Sequence, residues 1–199
     1  MRLTDCLWQR RSVYDYDPAP MASVHLGSLL RFAVGQGPSR GGEGAAGPRL
    51  GLAPSAGGLR SLDAYVVAWR VDGVTAGVHR YDREGHGLVP VRDGDVKPDL
   101  ADALLQPEFA DRPAACVVLV GRLDRTVGKY SARHYTTLHV DAGIAVQNLY
   151  LVATALGLGG CAILGFRSGR LEALLRLPRT ALPLIAFAVG RPRDGGRSQ

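Results

Sequence analysis

A run of residues without a charged side chain, from Leu149 to Phe166, constrains the fold of this chain more than any other feature. The run is long enough to cross a bilayer as a helix, because about 20 mostly apolar residues suffice for that. However, glycines interrupt it at positions 157, 159, 160 and 165, and glycines commonly end helices and begin turns. The run therefore predicts a buried helix, a turn and a buried strand, with no membrane span.

The helix before these glycines is predicted over residues 141–156. Its apolar residues recur at helical spacing with others between them, which indicates burial on most faces: Ile144, Leu149, Val152 and Leu156. Asp141 suits a first turn, where the helix dipole favours negative charge, and Gly157 suits the position after the last turn. Because the glycines close a helix instead of following a strand, they do not fit a dinucleotide-binding fingerprint.

The order of elements along the 199 residues indicates one α+β domain. Helices are predicted at 3–11, 25–34, 98–106 and 169–175, and strands at 63–71, 74–81, 88–91, 114–120, 161–164 and 184–189. Residues 35–53 are rich in Gly and Pro and are expected to form a flexible loop, and residues 194–199 a frayed tail. Residues 122–137 are expected to be a loop or an irregular helix.

The net charge of +6 invites a nucleic-acid interpretation, but the basic residues are scattered and no basic run is interleaved with aromatic residues. A generally basic surface, or several arginines that serve a bound phosphate, accounts for the charge.

The three cysteines lie far apart, the N-terminus lacks the apolar core of a signal peptide, and both features favour the cytoplasm. The spacing of the five histidines indicates no metal site.

Two short segments have side chains suited to chemistry. Lys129 and Tyr130 form an acid/base pair if both reach one pocket, although a Lys beside a Tyr is also common on surfaces. Arg10, Arg11 and Ser12 offer guanidinium and hydroxyl donors to a phosphate, although they would equally suit a solvated helix end. The residues alone leave both interpretations open.

Together with the stretch Pro54–Val67 and the glycine-terminated helix, these segments resemble FMN-dependent oxidoreductases of the nitroreductase superfamily. The motif Lys-Tyr-x-x-Arg-x-Tyr, which begins at Lys129, resembles the SagB-type azoline-dehydrogenase branch. The resemblance extends from about residue 7 to residue 193. It implies a nitroreductase-like fold, in which helices flank a central, mainly antiparallel sheet, and a homodimer with FMN sites at its interface.

The resemblance also implies roles for particular residues. The FMN phosphate and ribityl chain would be held by Arg10, Arg11, Ser12 and Arg191. The flavin ring and ribityl chain would be wrapped, usually from the partner subunit, by Pro54, Ser55, Ala56 and Gly57. The backbone N–H groups that face flavin N5 and O4 would come from Ile163, Leu164 and Gly165. Tyr14 stands where the family has Lys or Arg, and Arg11 is the candidate substitute.

The implied activity is oxidation of a thiazoline or oxazoline to a thiazole or oxazole in natural-product biosynthesis. The substrate would be a peptide or a carrier-bound intermediate, delivered by a cyclodehydratase or an assembly-line partner. Lys129 or Tyr130 would remove the Cα proton while the Cβ hydride passes to the flavin. The alternatives are an NAD(P)H-dependent nitro- or quinone reductase on the same fold, which needs no Lys-Tyr pair, a non-catalytic flavin-binding partner, and a basic nucleic-acid binder.

Overall fold

The computed structural model describes residues 1–39, 49–126, 130 and 134–193. The α-helices are α1 (Leu3–Gln9), α2 (Ser23–Val34), α3 (Lys97–Ala103), α4 (His134–Ala155) and α5 (Ser168–Leu175). The strands are β1 (Gln36–Ser39), β2 (Arg49–Gly51), β3 (Leu62–Ala68), β4 (Gly77–Asp82), β5 (Gly87–Asp93), β6 (Ala115–Arg122), β7 (Gly159–Ile163) and β8 (Ala181–Gly190). Short 3₁₀ turns lie at Ala56–Gly58, Pro107–Ala110 and Leu123–Arg125.

Six strands form the central sheet in the order β5-β4-β3-β6-β8-β7, and every neighbouring pair is antiparallel. Alternate residues of β6 enter two separate cores: Val117 packs with α2 and α4 on one face, and Val118 packs with α3 and α5 on the other. Burial on both faces explains why β3 and β6 read as continuous apolar runs. The predicted α+β fold, with helices flanking a mainly antiparallel sheet, is confirmed.

Helix α4 begins at His134 and not at Asp141, so the predicted start of this helix is wrong by two turns. The first turns carry exposed residues such as Thr136 and His139, and only Leu138 is fully buried there, so no apolar periodicity marks them. Asp141 consequently lies inside the helix, where it is 3% exposed, and its role is not to stabilise a first turn.

Within the stretch 35–53, which was expected to form a flexible loop, residues 36–39 and 49–51 are strands, and residues 40–48 lie outside the described residues. β1 and β2 pair antiparallel, with Gln36 opposite Gly51 and Ser39 opposite Arg49. Backbone hydrogen bonds stabilise this ribbon, so the pattern of side chains along the sequence gives no sign of it. The expected tail at 194–199 lies outside the described residues. Among the helices that the structure describes, none is long and apolar enough to cross a membrane.

Candidate functional site

The segment after α1 lies against the first residues of β7. Ser12 forms a parallel bridge with Gly160, and the N–H of Val13 donates to the Gly160 carbonyl at 3.0 Å. The approach depends on glycine, because a Cβ on Gly159 would lie 2.8 Å from the Val13 side chain. The glycines after α4 therefore bring the Arg10–Ser12 segment against the sheet.

Tyr150 of α4 joins three parts of this region. Its hydroxyl accepts a hydrogen bond from the N–H of Ala162 at 2.8 Å and lies 3.0 Å from the Ser12 hydroxyl. The Arg10 guanidinium lies 5.2 Å from the centre of the Tyr150 ring, within the range of a cation–π contact. Sequence analysis missed Tyr150, since a tyrosine in an apolar helix carries no signal of its partners.

Arg191 reaches the same end of the sheet from β8. Gly190 pairs with Gly159, so the residue after it lies beside the start of β7. The Arg191 backbone is fixed there, because its carbonyl accepts the N–H of Asp17 at 2.9 Å, while its side chain is exposed. The structure thus places Arg10, Ser12 and the Arg191 backbone around the start of β7.

The chemistry of these donors fits a phosphate group, because guanidinium and hydroxyl groups are its usual partners. Arg11 is exposed next to them and adds positive charge. Tyr14, at the position where a basic residue was expected, is 47% exposed. Charge interaction with Cys161 and partial burial raise the pKa of Tyr14, so its phenol keeps its proton and remains a hydrogen-bond donor. The site can therefore hold the phosphate of FMN.

The rest of β7 and the two residues that follow it lead away from these donors. Ile163 is buried, Leu164 is 70% exposed, and the Gly165 carbonyl accepts the N–H of Leu105 at 2.8 Å. A strand rises about 3.3 Å per residue, so Leu164 lies about 13 Å along the chain from Gly160. This edge of the sheet accordingly offers a path from the phosphate donors to the three residues predicted to face the flavin ring.

The Pro54–Gly57 loop contacts another part of α4. The N–H of Ala56 donates to both carboxylate oxygens of Asp141, at 3.1 and 3.3 Å, and the Ser61 hydroxyl donates to one of them at 2.6 Å. Asp141 and Tyr150 are nine residues apart, which in a helix is about 14 Å and about half a turn in direction. One chain thus places the loop and Ser12 on opposite faces of α4 and does not bring them together.

The predicted acid/base pair is described in part. Lys129 lies outside the described residues, whereas Tyr130 is half-buried and its N–H donates to the Thr126 carbonyl at 3.0 Å. Tyr130 follows the Arg122 end of β6, and Arg191 lies at the opposite end, where Ala115 pairs with Val189. The two ends of this strand are about 24 Å apart. Tyr130 is therefore distant from the phosphate donors of its own chain.

A buried ionic cluster that the sequence did not reveal surrounds Asp63. Asp63 of β3 accepts hydrogen bonds from Arg122 at 2.7 Å and from Arg125 at 2.8 and 3.0 Å, and Arg83 lies 3.8 Å away. Burial raises the pKa of Asp63, but the hydrogen bonds from Arg125 and Arg122 outweigh burial and lower it. An acidic residue within an apolar strand is the signal that could have indicated such a cluster.

Comparisons with known proteins match the whole region described above. A sequence model of the Nitroreductase family covers residues 7–191. A protein of Methanocaldococcus jannaschii, classed by name as a nitroreductase, is 32% identical over 96% of this chain and 91% of its own length. A shorter match, 40% identical over 57 residues, is to an FMN reductase (NADPH) of Bacillus subtilis and covers 28% of this chain and 23% of that protein.

Solved structures give the same fold. A nitroreductase-type protein of Ralstonia eutropha is 26% identical, with a TM-score of 0.81 over 98% of this chain and 84% of its own. One of Anabaena variabilis is 25% identical, with a TM-score of 0.81 over 96% of this chain, which spans 38% of that longer chain. A chain of the Escherichia coli microcin synthetase McbBCD complex is 23% identical over 94% of this chain and 70% of its own, with a TM-score of 0.77, a likeness of fold.

Proposed function

The chain belongs to the nitroreductase family of oxidoreductases, and on that basis we propose that it is an FMN-dependent dehydrogenase that oxidises a thiazoline or oxazoline ring to a thiazole or oxazole. The placement of Arg10, Ser12 and the Arg191 backbone around the start of β7 carries the proposal, because their guanidinium and hydroxyl groups would suit the phosphate of FMN. The Lys129–Tyr130 segment supports the choice of reaction.

Arg10, Ser12 and Arg191 would hold the phosphate of FMN, and Ile163, Leu164 and Gly165 would lie along its ring. Bound FMN supplies the hydride acceptor for the Cβ–H bond of the azoline. This chain supplies the base: Lys129 or Tyr130 takes the Cα proton, so that the ring loses one proton and one hydride. A lysine acts as a base only when neutral, and nearby cations lower the pKa of an ammonium group.

A homodimer is part of the proposal, because the Pro54–Gly57 loop and the phosphate donors face away from each other across α4. A second copy would bring its own loop to the flavin of the first. The exposed face of α4 suits such a contact: Val140 is 57% exposed, and a Cβ on Gly143 would meet nothing within 4 Å in its own chain. The absence of a side chain at Gly143 permits close approach of a second helix.

The proposed substrate is a peptide or carrier-bound intermediate, with a cyclodehydratase or an assembly-line partner that supplies the azoline. A protein with the same fold occurs in the McbBCD synthetase complex with truncated pro-MccB17 bound. This precedent supports a large substrate on this fold. It does not select between thiazoline and oxazoline.

The decisive experiment measures azoline oxidation by the FMN-loaded protein and by K129A and Y130F. Removal of a general base costs about 10²–10⁴-fold in rate, so at least one variant should lose turnover by that factor while its visible flavin absorbance is unchanged. K97A is the matched control, since Lys97 lies outside this segment and pairs with Asp111. Unchanged turnover in both test variants would reject the assigned reaction.

A second candidate is an NAD(P)H-dependent reductase of nitro compounds or quinones, which the short match to an FMN reductase favours. This enzyme would need no base at position 129 or 130. Rapid bleaching of the flavin by NADPH, with K129A and Y130F as fast as the wild type, would select it. A chain that binds FMN but turns over neither substrate would instead be a flavin-binding partner without catalysis.

A further inference from the structure

A polar cavity of about 350 Å³ lies between β3, β4 and the 3₁₀ turn after β6. It is separate from the residues assigned to the flavin. Four arginines and three carboxylates supply most of its lining: Arg60, Arg80, Arg83, Arg125, Asp63, Asp82 and Glu84. A cavity with this many guanidinium groups is a candidate anion site, and the arrangement of its charges supports that assignment.

The buried carboxylate in the cavity wall, that of Asp63, is already paired with three arginines. Asp63 is 5% exposed and has three arginines within 4 Å. Arg83 is the least exposed of them, with 14% of its side chain accessible. Burial and the repulsion from Arg125 and Arg60 lower the pKa of Arg83, despite its attraction to Asp63. Asp63 and Asp124 supply two negative charges against the three guanidinium groups of Arg83, Arg122 and Arg125, and the excess positive charge favours an anion beside them.

The other two carboxylates of the wall reduce its positive charge without cancelling it, because four arginines face three carboxylates in all. Asp82 accepts the backbone N–H groups of Glu84 and Gly85, both at 3.2 Å, and so shapes the turn after β4. Glu84 has 76% of its side chain exposed and reaches Arg60 only at 3.5 Å. Arg80 takes part in no ion pair within the described ranges, so its guanidinium donors remain available.

We propose that this cavity binds an oxyanion, a carboxylate or a phosphate, carried by the substrate. Guanidinium groups bind both in a two-pronged geometry, which explains the use of arginine throughout the wall. Arg125 lines the cavity, and the following Thr126 holds the backbone of Tyr130. The cavity thus lies a few residues along the chain from the proposed base. The link to substrate rests on the proposed function, whereas anion binding does not.

The test is calorimetric titration of the FMN-saturated protein with inorganic phosphate and with acetate, at constant ionic strength adjusted with chloride. Saturating FMN occupies the phosphate donors around Arg10, so they do not contribute. We expect saturable binding of at least one anion, weakened tenfold or more in R60Q and in R80Q. R170Q is the matched control, because Arg170 is exposed and pairs with Asp102. These variants avoid buried Arg83 and so preserve the fold.

Binding of phosphate but not acetate would indicate a phosphate-bearing substrate, and acetate binding would indicate an acidic side chain or chain end. The cavity assignment is overturned if the wild type binds neither anion above the chloride background, or if R60Q and R80Q bind as tightly as the wild type. Anion binding that R60Q and R80Q weaken, together with unchanged turnover in K129A and Y130F, would retain this inference and reject the proposed reaction. Loss of turnover in K129A or Y130F, without anion binding to the wild type, would reject this inference and retain the reaction.

Discussion

At the scale of single residues, Tyr150 and Asp63 connect parts of the chain that lie far apart in sequence. The Tyr150 hydroxyl lies 3.0 Å from that of Ser12, and Asp63 accepts hydrogen bonds from Arg122 and Arg125. Tyr150 and Asp63 were missed, because their importance lies in partners more than 50 positions away in the chain. No local pattern reports such contacts.

Tyr150 gives the sharpest test at this scale. Y150F removes the hydroxyl that accepts the N–H of Ala162 and lies beside Ser12. An unsatisfied buried N–H costs about 1–3 kcal/mol, so we expect urea unfolding to show a loss of that size, and FMN titration to show weaker binding. Y135F, at an exposed position of the same helix, should change neither. Wild-type stability in Y150F would mean that water replaces the hydroxyl.

The lowered pKa of Asp63 predicts how the free energy of unfolding depends on pH. Its pKa is lower in the folded chain than in the unfolded chain, where it is about 3.9. The stability it contributes is therefore complete above about pH 4 and lost as the pH falls through the folded pKa. D63N leaves buried arginines unpaired and should cost about 3–5 kcal/mol at neutral pH. The difference from the wild type should shrink below pH 4 in urea unfolding; a constant difference would contradict this role.

At the scale of elements, apolar periodicity predicted the central strands well, since β3 and β6 are buried on both faces. It failed where an element owes its conformation to something other than an apolar face. The first turns of α4 are largely exposed, and the β1–β2 ribbon is held by its backbone. The glycines after α4 were read as helix-ending residues, but the structure adds that two of them permit close packing.

Gly160 tests that packing. A Cβ there would lie 2.2 Å from the Phe187 ring, so β7 would have to move away from β8 or from Ser12. We expect G160A to lose about 1–3 kcal/mol of stability, as overpacked cores do, and to bind FMN less tightly. G169A is the control, because a Cβ at Gly169 in α5 meets nothing within 4 Å. Thermal unfolding of both variants tests this prediction, and equal melting temperatures for G160A and G169A would contradict it.

At the scale of the whole molecule, a single chain holds far apart the groups that are proposed to contact one flavin. The Pro54–Gly57 loop lies on one face of α4 and the phosphate donors on the other, and Tyr130 lies at the far end of β6. The sequence implied a second subunit only through resemblance. The geometry adds a physical reason for the proposal, since a single copy leaves the two sets of contacts unconnected.

The exposed face of α4 makes the proposed dimer testable. In V140D, a charge replaces a side chain that is 57% exposed and, in a dimer, would be buried against the second copy. A buried unpaired charge costs several kcal/mol, so sedimentation should show monomers where the wild type forms dimers. FMN affinity should fall at the same time, because the partner's loop is lost. V24D, at a 69% exposed position of α2, should keep both properties. A monomeric variant with unchanged FMN affinity would show that one chain completes the flavin site alone and would reject the shared site.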